Sequence, residues 1–214
     1  MKKIFLVVFS ILLIDQILKI YIKTHFELGS GVFIFPFFCI FFVENPGMAY
    51  GFYLGTGYYG KILLSFFRFF LVSLIFLFLY KNVKKGSSSY LTIPTGLILS
   101  GAMGNFLDSA LYGLLFNTGT VYSKEYHKWI PYLGISKINN FFVGGGYASF
   151  MKGCVVDMFY FPIIDTHFPN WIPFLGGTNF QFFKPVFNLS DMSIFIGVIL
   201  LFIFKNRIKN AKIL

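Results

Sequence analysis

The carboxylates of this chain are few, and half of them lie in or beside its most apolar stretches. Only eight of the 214 residues are acids. The four in apolar surroundings are Asp15, Asp108, Asp157 and Asp191. An ionisable side chain near hydrocarbon costs about 2.5–3.5 kcal/mol on insertion scales, which makes each a functional candidate. Two neighbouring carboxylates share a proton, so one activates water while the other donates a proton, and that is the chemistry of aspartic proteolysis.

Four apolar stretches are long enough to position these acids in a bilayer. They cover residues 4–22, 62–80, 91–111 and 186–204, and a spanning helix needs about 20 residues. Charged residues make up 12% of the chain and the mean hydropathy is +0.73. A soluble domain carries about 25% charged residues, so its surface would lack charge in water. The predicted fold class is an all-α polytopic membrane protein with four transmembrane helices.

Half of the basic residues lie in three short hydrophilic flanks of these stretches. They are Lys2, Lys3, Lys81, Lys84, Lys85, Lys205, Arg207, Lys209 and Lys212. This distribution follows the positive-inside rule, and it predicts that both termini and the central flank are cytoplasmic. The net charge of +10 therefore does not indicate a nucleic-acid partner. Segments 26–61 and 116–185 are expected on the opposite side of the membrane.

This topology places three of the acids at the outer leaflet. Asp108 lies near the outer end of the third stretch and Asp191 near the outer start of the fourth. Asp157 lies in the outer segment, within an alternating run over 155–160 that is typical of a short strand. Asp157 and Asp191 are the predicted pair, because both are expected at the rim, where water can arrive.

Spacing alone leaves other roles open for three of the four acids. Asp191 follows Asn188 and Ser190 at a helix start, so it also fits a helix cap. Asp108 fits a hydrogen-bonding hub between helices as well as it fits catalysis. Asp15 precedes Lys19 by four residues, a spacing typical of an ion pair on one helix face.

Five short motifs, in a fixed order, resemble those of the lipoprotein signal peptidase (signal peptidase II) family. The matching segments are 15–19 (DQILK), 45–51 (NPGMAYG), 101–108 (GAMGNFLD), 155–158 (VVDM) and 187–191 (FNLSD). The family patterns are DQxxK, NxGxAFG, GGAxGNxxD, VxDF and FNxAD. Each motif is weak alone, and their joint order makes the resemblance specific.

The resemblance implies an aspartic endopeptidase that removes the signal peptide of prolipoproteins at a diacylglyceryl-modified lipobox cysteine. Asp157 and Asp191 match the catalytic dyad of the family. The substrate-binding or supporting residues that it implies are Asn45, Gly47, Asn105, Asp108, Asn188, Asp15 and Lys19. It also implies four transmembrane helices with a small extracytoplasmic β-cradle and no metal or cofactor. The enzyme would be a monomer in the lipid of the bacterial cytoplasmic (inner) membrane, active near the extracytoplasmic face and inhibited by globomycin-like peptides.

Several features depart from the family pattern, among them Ser190 in place of the Ala before the last aspartate and a long stretch between Asp157 and the final motif. The family usually places Arg after the aspartate of the third motif, and Ser109 stands there in this chain. Residues 114–152 form an inserted extracytoplasmic loop within a single membrane-embedded peptidase domain over 1–214, and a shield or a lid of the groove are both possible roles for it. Arg68 in the second stretch is expected to extend to the outer interface.

Three other functions fit parts of the pattern. A small transporter or proton relay would line its pathway with the intramembrane acids, although it predicts repeated, broken helices. A cysteine protease would use Cys154 with His127 or His167, and nothing in the sequence places either histidine beside it. A membrane scaffold would tolerate Asp157→Asn. Sensitivity to thiol alkylation and to that substitution separates these functions.

Overall fold

Four long helices form the body of the protein. The computed structural model describes residues 2–47, 57–139, 145–162, 164–167, 169–174, 176–182 and 185–210. The helices are α1 (Lys2–His25), α2 (Gly57–Lys84), α3 (Ser89–Leu115), α4 (Leu189–Ile203) and the short α5 (Lys205–Asn210). The first four coincide with the four predicted apolar stretches. A helix pairs most of its backbone N–H and C=O groups within itself, which is the form that an apolar run takes in a bilayer.

Two helices meet the length and hydropathy expected of a membrane span. These are Lys3–His25 and Gly57–Lys84, with mean hydropathies of 2.2 and 2.6, and Leu189–Ile203 is a shorter apolar helix. The count of four spans therefore stays a prediction. Their exposed faces carry large apolar side chains such as Phe66, Phe70 and Phe195, which is the surface expected of lipid-facing helices.

The described part of the chain also contains seven strands, so the all-α description is not confirmed. They are β1 (Gly31–Phe35), β2 (Phe38–Asn45), β3 (Val121–Ser123), β4 (Lys128–Ile130), β5 (Val155–Tyr160), β6 (Ile164–His167) and β7 (Asn179–Phe182). The strand predicted over 155–160 is confirmed. The sheet order is β1-β2-β5, with two separate hairpins β3-β4 and β6-β7.

The three-stranded sheet carries one candidate acid to the ends of the helices. Strands β2 and β5 are antiparallel, and their register pairs Val43 with Asp157 and Asn45 with Val155. One face of the sheet packs on the C-terminal ends of α1 and α3 through a buried cluster that includes Phe42, Tyr112 and Val156. Asn45 of the second motif therefore lies beside Asp157, and the amide of Gly47 donates to the side chain of Asn45. The remaining residues of this motif, 48–51, lie outside the described residues.

Helices α3 and α4 approach closely because two glycines of α3 face Ser190. A Cβ at Gly101 would overlap the carbonyl oxygen of Ser190, and a Cβ at Gly104 would overlap its hydroxyl. Small residues at such crossings let helix backbones come together in a membrane. The close packing brings the start of α4, and with it Asp191, against α3.

The segment 114–152, which the sequence analysis predicts as an insertion, contacts a buried ion pair between α1 and β2. Lys23 at the end of α1 pairs with Glu44 of β2, and both side chains are 0% exposed. The segment supplies the remaining partners: the Lys23 ammonium donates to the Thr118 carbonyl over 3.0 Å, and the amide of Thr120 donates to Glu44 over 2.6 Å. The rings of Phe116, Tyr132 and Tyr147 lie about the ammonium at 5.0, 4.9 and 5.1 Å. Hence these parts of the segment pack against the buried pair and belong to the same buried region.

Candidate active site

Asp157 is a buried carboxylic acid at the centre of the site. Its residue is only 4% exposed on β5. The side-chain amide of Asn188 donates to Oδ1 over 2.6 Å, and that of Asn45 reaches Oδ2 at 3.4 Å. Burial in the first place, and the negative charge of Asp191 in the second, raise the pKa of Asp157 to about 8. The acid therefore holds a proton at neutral pH.

Asp191 is the second carboxylate, and it is built into the first turn of α4. Asn188 and Asp191 form a capping box. The side-chain oxygen of Asn188 accepts from the backbone N–H of Asp191, and the carboxylate of Asp191 accepts from the backbone N–H of Asn188. The side-chain amide of Asn105 on α3 donates to Asp191 Oδ1 over 2.7 Å. Asp191 is half-buried, so water reaches it more easily than it reaches Asp157.

Two asparagines hold the carboxylates in register. The Nδ2 atom of Asn188 lies 3.1 Å from Oδ1 of Asn105, and Nζ of Lys19 donates to the same oxygen over 3.0 Å. Because two donors face this oxygen, the Asn105 amide group can only point its nitrogen at Asp191. The Asn188 side chain is completely buried and contacts both acids, through its nitrogen at Asp157 and its oxygen at the Asp191 amide.

Asp15, Lys19 and Asp108 form a buried network below the two acids. Lys19 Nζ lies 2.9 Å from Asp15 and 2.8 Å from Asp108, with all three side chains 0% exposed. Asp15 also accepts from the Ser190 amide of α4 over 2.9 Å, and Asp108 accepts from Gln16 over 2.9 Å. The predicted ion pair between Asp15 and Lys19 is present, and the structure extends it to Asp108. Of the two roles considered for Asp108, these contacts favour the hub that joins helices.

Arg68 is a residue of the site that the sequence analysis placed elsewhere. The expectation that it extends to the outer interface is wrong. Its guanidinium points inward and donates to Ser109 Oγ over 2.5 Å and to the Gly47 carbonyl over 3.1 Å. The signal that could have found it is the one used for the acids, since a charge within an apolar stretch marks a functional candidate.

Cys154 lacks the surroundings of a nucleophile. It is 0% exposed, its thiol donates to the Thr120 carbonyl over 3.5 Å, and His127 and His167 are both exposed. Burial raises the pKa of the thiol to about 12, and the negative charge of Glu44 adds to the effect. A reactive thiol needs a lowered pKa and an accessible position, so the cysteine protease hypothesis has no support in this geometry.

A metal centre has no set of ligands in the described part of the chain. No group of three or more His, Cys, Asp or Glu side chains is placed there to hold an ion. The polar groups that converge are instead two carboxylates, amides and cations, an arrangement suited to acid–base chemistry with water.

The fold is that of known bacterial membrane enzymes. Two solved structures described by that phrase, both determined by the in meso method, match nearly the whole chain. One has a TM-score of 0.60 at 21% identity and covers 97% of this chain and 89% of its own. The other has a TM-score of 0.56 at 22% identity and covers 95% and 92%. At these identities the likeness concerns the fold alone.

The sequence comparisons show the family. The profile described as "Signal peptidase (SPase) II" matches residues 7–206. A lipoprotein signal peptidase of Porphyromonas gingivalis (strain W83) is 42% identical over 194 residues, which cover 90% of this chain and 78% of the relative. One of Amoebophilus asiaticus is 32% identical over 192 residues, covering 88% and 71%. The chain belongs to the signal peptidase II family and is a membrane aspartic protease. An enzyme is thus favoured over a transporter or a scaffold.

Proposed function

We propose that this chain is a lipoprotein signal peptidase whose catalytic dyad is Asp157 and Asp191. It cleaves the signal peptide of diacylglyceryl-modified prolipoproteins at the lipobox cysteine. The names of the relatives support the substrate class, and the convergence of two carboxylates supports the dyad. The enzyme spans the bacterial inner membrane with four helices, both termini cytoplasmic, and acts at the extracytoplasmic rim.

The observation that carries the proposal is the bridge made by Asn188. One buried side chain donates to the Asp157 carboxyl and accepts from the Asp191 backbone amide, so a single group sets the distance between the two acids. The effect of Asp191 on the pKa of Asp157 is the electrostatic counterpart of this proximity. Two carboxylates held so close share one proton, as aspartic proteolysis requires.

The two environments suggest how the dyad divides its work. Asp157 holds the shared proton, because it is the more buried carboxyl and its pKa is raised to about 8. Asp191 is less buried, receives a hydrogen bond from Asn105 and lies at the positive end of α4, which suits it to the role of the base. Asp191 takes a proton from water as the oxygen attacks the scissile carbonyl, and Asp157 gives its proton to the carbonyl oxygen. Asp191 then protonates the leaving amine while Asp157 recovers a proton from the collapsing diol.

The proposal extends to the other parts of the chain and to its ligands. The single peptidase domain comprises residues 1–214, and its inserted segment 114–152 is fixed to α1 and β2 through Lys23 and Glu44. The enzyme acts as a monomer in lipid, needs no cofactor, and binds globomycin-like peptides in the substrate groove.

A gel-shift assay of the purified protein in detergent tests the function. A diacylated prolipoprotein is incubated with the wild type, with Asp157→Asn and with Asp191→Asn, and Glu27→Gln serves as the control in an exposed acid. We expect cleavage by the wild type and the control, inhibition by globomycin, and no cleavage by either Asp variant. The same prolipoprotein without its diacylglyceryl group is the substrate control. Equal cleavage by the Asp variants refutes the dyad, and an inactive wild type refutes the substrate class.

A further inference from the structure

We propose that Arg68 of α2 is the positioning residue of the dyad, which it supports through two branches of hydrogen bonds and a fixed positive charge. This inference rests on the proposed function and deepens it. Arg68 is not part of any of the five motifs, and it reaches the site from a different helix than the other supporting residues.

The first branch leads from Arg68 to Asp157. The guanidinium donates to the Gly47 carbonyl over 3.1 Å, and the Gly47 amide donates to Asn45 Oδ1 over 2.9 Å. With its oxygen held in this way, Asn45 turns its nitrogen to Asp157 Oδ2 at 3.4 Å. Arg68 thus fixes the turn that follows β2 and, through it, the orientation of an amide that contacts the buried acid.

The second branch leads from Arg68 to Asp191. The guanidinium donates to Ser109 Oγ over 2.5 Å, and Ser109 donates in turn to the Asn105 carbonyl over 3.0 Å. Asn105 is the residue whose side chain donates to Asp191. The planar guanidinium offers several N–H groups in a rigid fork, so one side chain can hold both branches at a fixed separation. A lysine concentrates its donors on one atom and lacks the planar fork that spaces them.

The charge of Arg68 is placed to act on the dyad. Among the described residues it forms no ion pair with a carboxylate, although an unpaired cation inside the protein is costly. The acids that its charge faces are Asp108, Asp191 and Asp157. Asp108 is already paired with Lys19, so the dyad is the anionic centre that remains for Arg68.

The other charged groups around the site are mostly engaged with one another. The buried charged side chains on the elements packed around the dyad are Asp15, Lys19 and Lys23 of α1, Lys61 of α2, Asp108 of α3 and Glu44 of β2. Lys19 lies between Asp15 and Asp108, and Lys23 pairs with Glu44. The charge of Lys19 also acts on Asp157, whereas the charges that act on Lys61 are those of Arg68, Cys154, Asp108 and Glu44. Removal of Arg68 therefore leaves the dyad with Lys19, a cation that two other carboxylates already hold.

The test separates charge from geometry in the purified enzyme with a diacylated prolipoprotein. The variants are Arg68→Gln, Arg68→Lys and Ser109→Ala, with Arg207→Gln as the control. Arg207 is exposed and donates to the Tyr90 hydroxyl far from the dyad. The quantity measured is kcat between pH 4 and pH 10, with KM at each pH. Thermal unfolding and size-exclusion chromatography show which variants are folded.

We expect Arg68→Gln to lower kcat and to move both limbs of the pH profile upward by about one pH unit. The sign follows because loss of a cation disfavours the ionised dyad and so raises both of its pKa values. Arg68→Lys keeps the charge and loses the fork, so its limbs coincide with those of the wild type while kcat falls about tenfold. Ser109→Ala behaves in the same way, and Arg207→Gln equals the wild type. A mutation that only loosened the structure would lower kcat at every pH alike.

Several results overturn the inference while leaving the proposed function intact, because the wild type is active in all of them. They are unmoved limbs in folded Arg68→Gln, equal shifts in Arg68→Lys and Arg68→Gln, or wild-type kcat in Arg68→Lys. If Arg68→Gln does not fold, Arg68→Met takes its place as the variant without the charge, and its limbs must move upward while those of Arg68→Lys stay with the wild type.

Discussion

The buried pair of Lys23 and Glu44 offers the sharpest test of how α1, β2 and the segment 114–152 are held together. We expect Glu44→Gln to destabilise the folded protein strongly, although the change replaces a single atom. The amide keeps an oxygen to accept from the Thr120 N–H. What is lost is the negative charge opposite an ammonium whose side chain is 0% exposed. The ammonium then retains only the Thr118 carbonyl and the faces of three aromatic rings.

The magnitude follows from the burial of both members. Removing one partner of a buried ion pair costs about 3–5 kcal/mol, because the other charge stays buried and uncompensated. For a chain of this length, 1 kcal/mol corresponds to about 2–4 °C in Tm, so Tm falls by about 6–20 °C. Replacing both charges at once is close to neutral for such pairs. The double variant Lys23→Met/Glu44→Gln is therefore expected to recover most of the loss.

The change in Tm is measured by thermal unfolding in detergent, with tryptophan fluorescence as the probe. The chain has two tryptophans, so a Trp171→Phe background leaves Trp129 of β4 as the reporter of the inserted segment. Lys124→Met, at an exposed position of the β3–β4 turn, controls for the loss of a lysine. A loss below about 1 kcal/mol in Glu44→Gln, or a double variant no more stable than the single one, would refute the reasoning.

Three further predictions concern the dyad, the helix crossing and the thiol. The kcat of the wild type falls as the pH rises through about 8, because Asp157 loses its proton there. The folded state also binds this proton more tightly than the unfolded chain does, so the wild type loses stability as the pH rises from about 4 to about 8. The Tm of Asp157→Asn depends less on pH over the same range. Gly104→Ala abolishes activity and lowers the yield of folded protein, because its Cβ overlaps the Ser190 hydroxyl. Gly96→Ala on the same helix is the control: its Cβ meets side chains only at 3.4 Å, so parallel purifications give normal activity and normal yield. Cys154→Ala retains at least half the activity, and mass spectrometry shows that a maleimide modifies the buried thiol only after denaturation.

Hydropathy predicted the helices well because their signal is local. Each stretch is apolar over about 20 residues whatever it packs against, so α1 to α4 are found where the sequence places them. The strands on the outer side were mostly missed, because β1, β2 and the two hairpins lie in segments rich in Gly and aromatics. Only the alternating run of β5 carries a period of two. The structure of the three-stranded sheet depends on the pairing of β2 with β5, and neither strand's sequence alone predicts that pairing.

The acids of the site were predicted by a physical rule that needs no partner. A carboxylate in an apolar run is costly wherever it lies, so Asp15, Asp108, Asp157 and Asp191 were all singled out, and the structure brings the last two together through Asn188. The rule does not say which acids meet. Asp108 is paired with Lys19 through contacts between residues far apart in the chain.

Arg68 shows the same limit for a basic residue, since the sequence marks its charge but does not identify its partners. Its acceptors, Ser109 and Gly47, lie 41 and 21 residues away along the chain, and no periodicity connects positions on different helices. A long side chain in an apolar stretch can extend to the interface or turn inward, and only the position of α3 beside α2 decides between the two. The sequence thus indicates that a charge lies in an apolar stretch, whereas the fold shows which groups it contacts.

The capping box gives Asp191 two functions that are separable by the choice of substitution. As the third residue of α4 it accepts a hydrogen bond from the Asn188 amide, and as an acid it faces Asp157. Asparagine preserves an acceptor for the cap and removes the base, whereas alanine removes both and costs the helix about 0.5–2 kcal/mol as well. An inactive Asn variant that unfolds like the wild type therefore reports on chemistry alone. Asn188 cannot be separated in this way. Its side chain accepts from the Asp191 backbone amide in the cap and donates to Asp157, so a substitution there changes the start of α4 and the geometry of the dyad together.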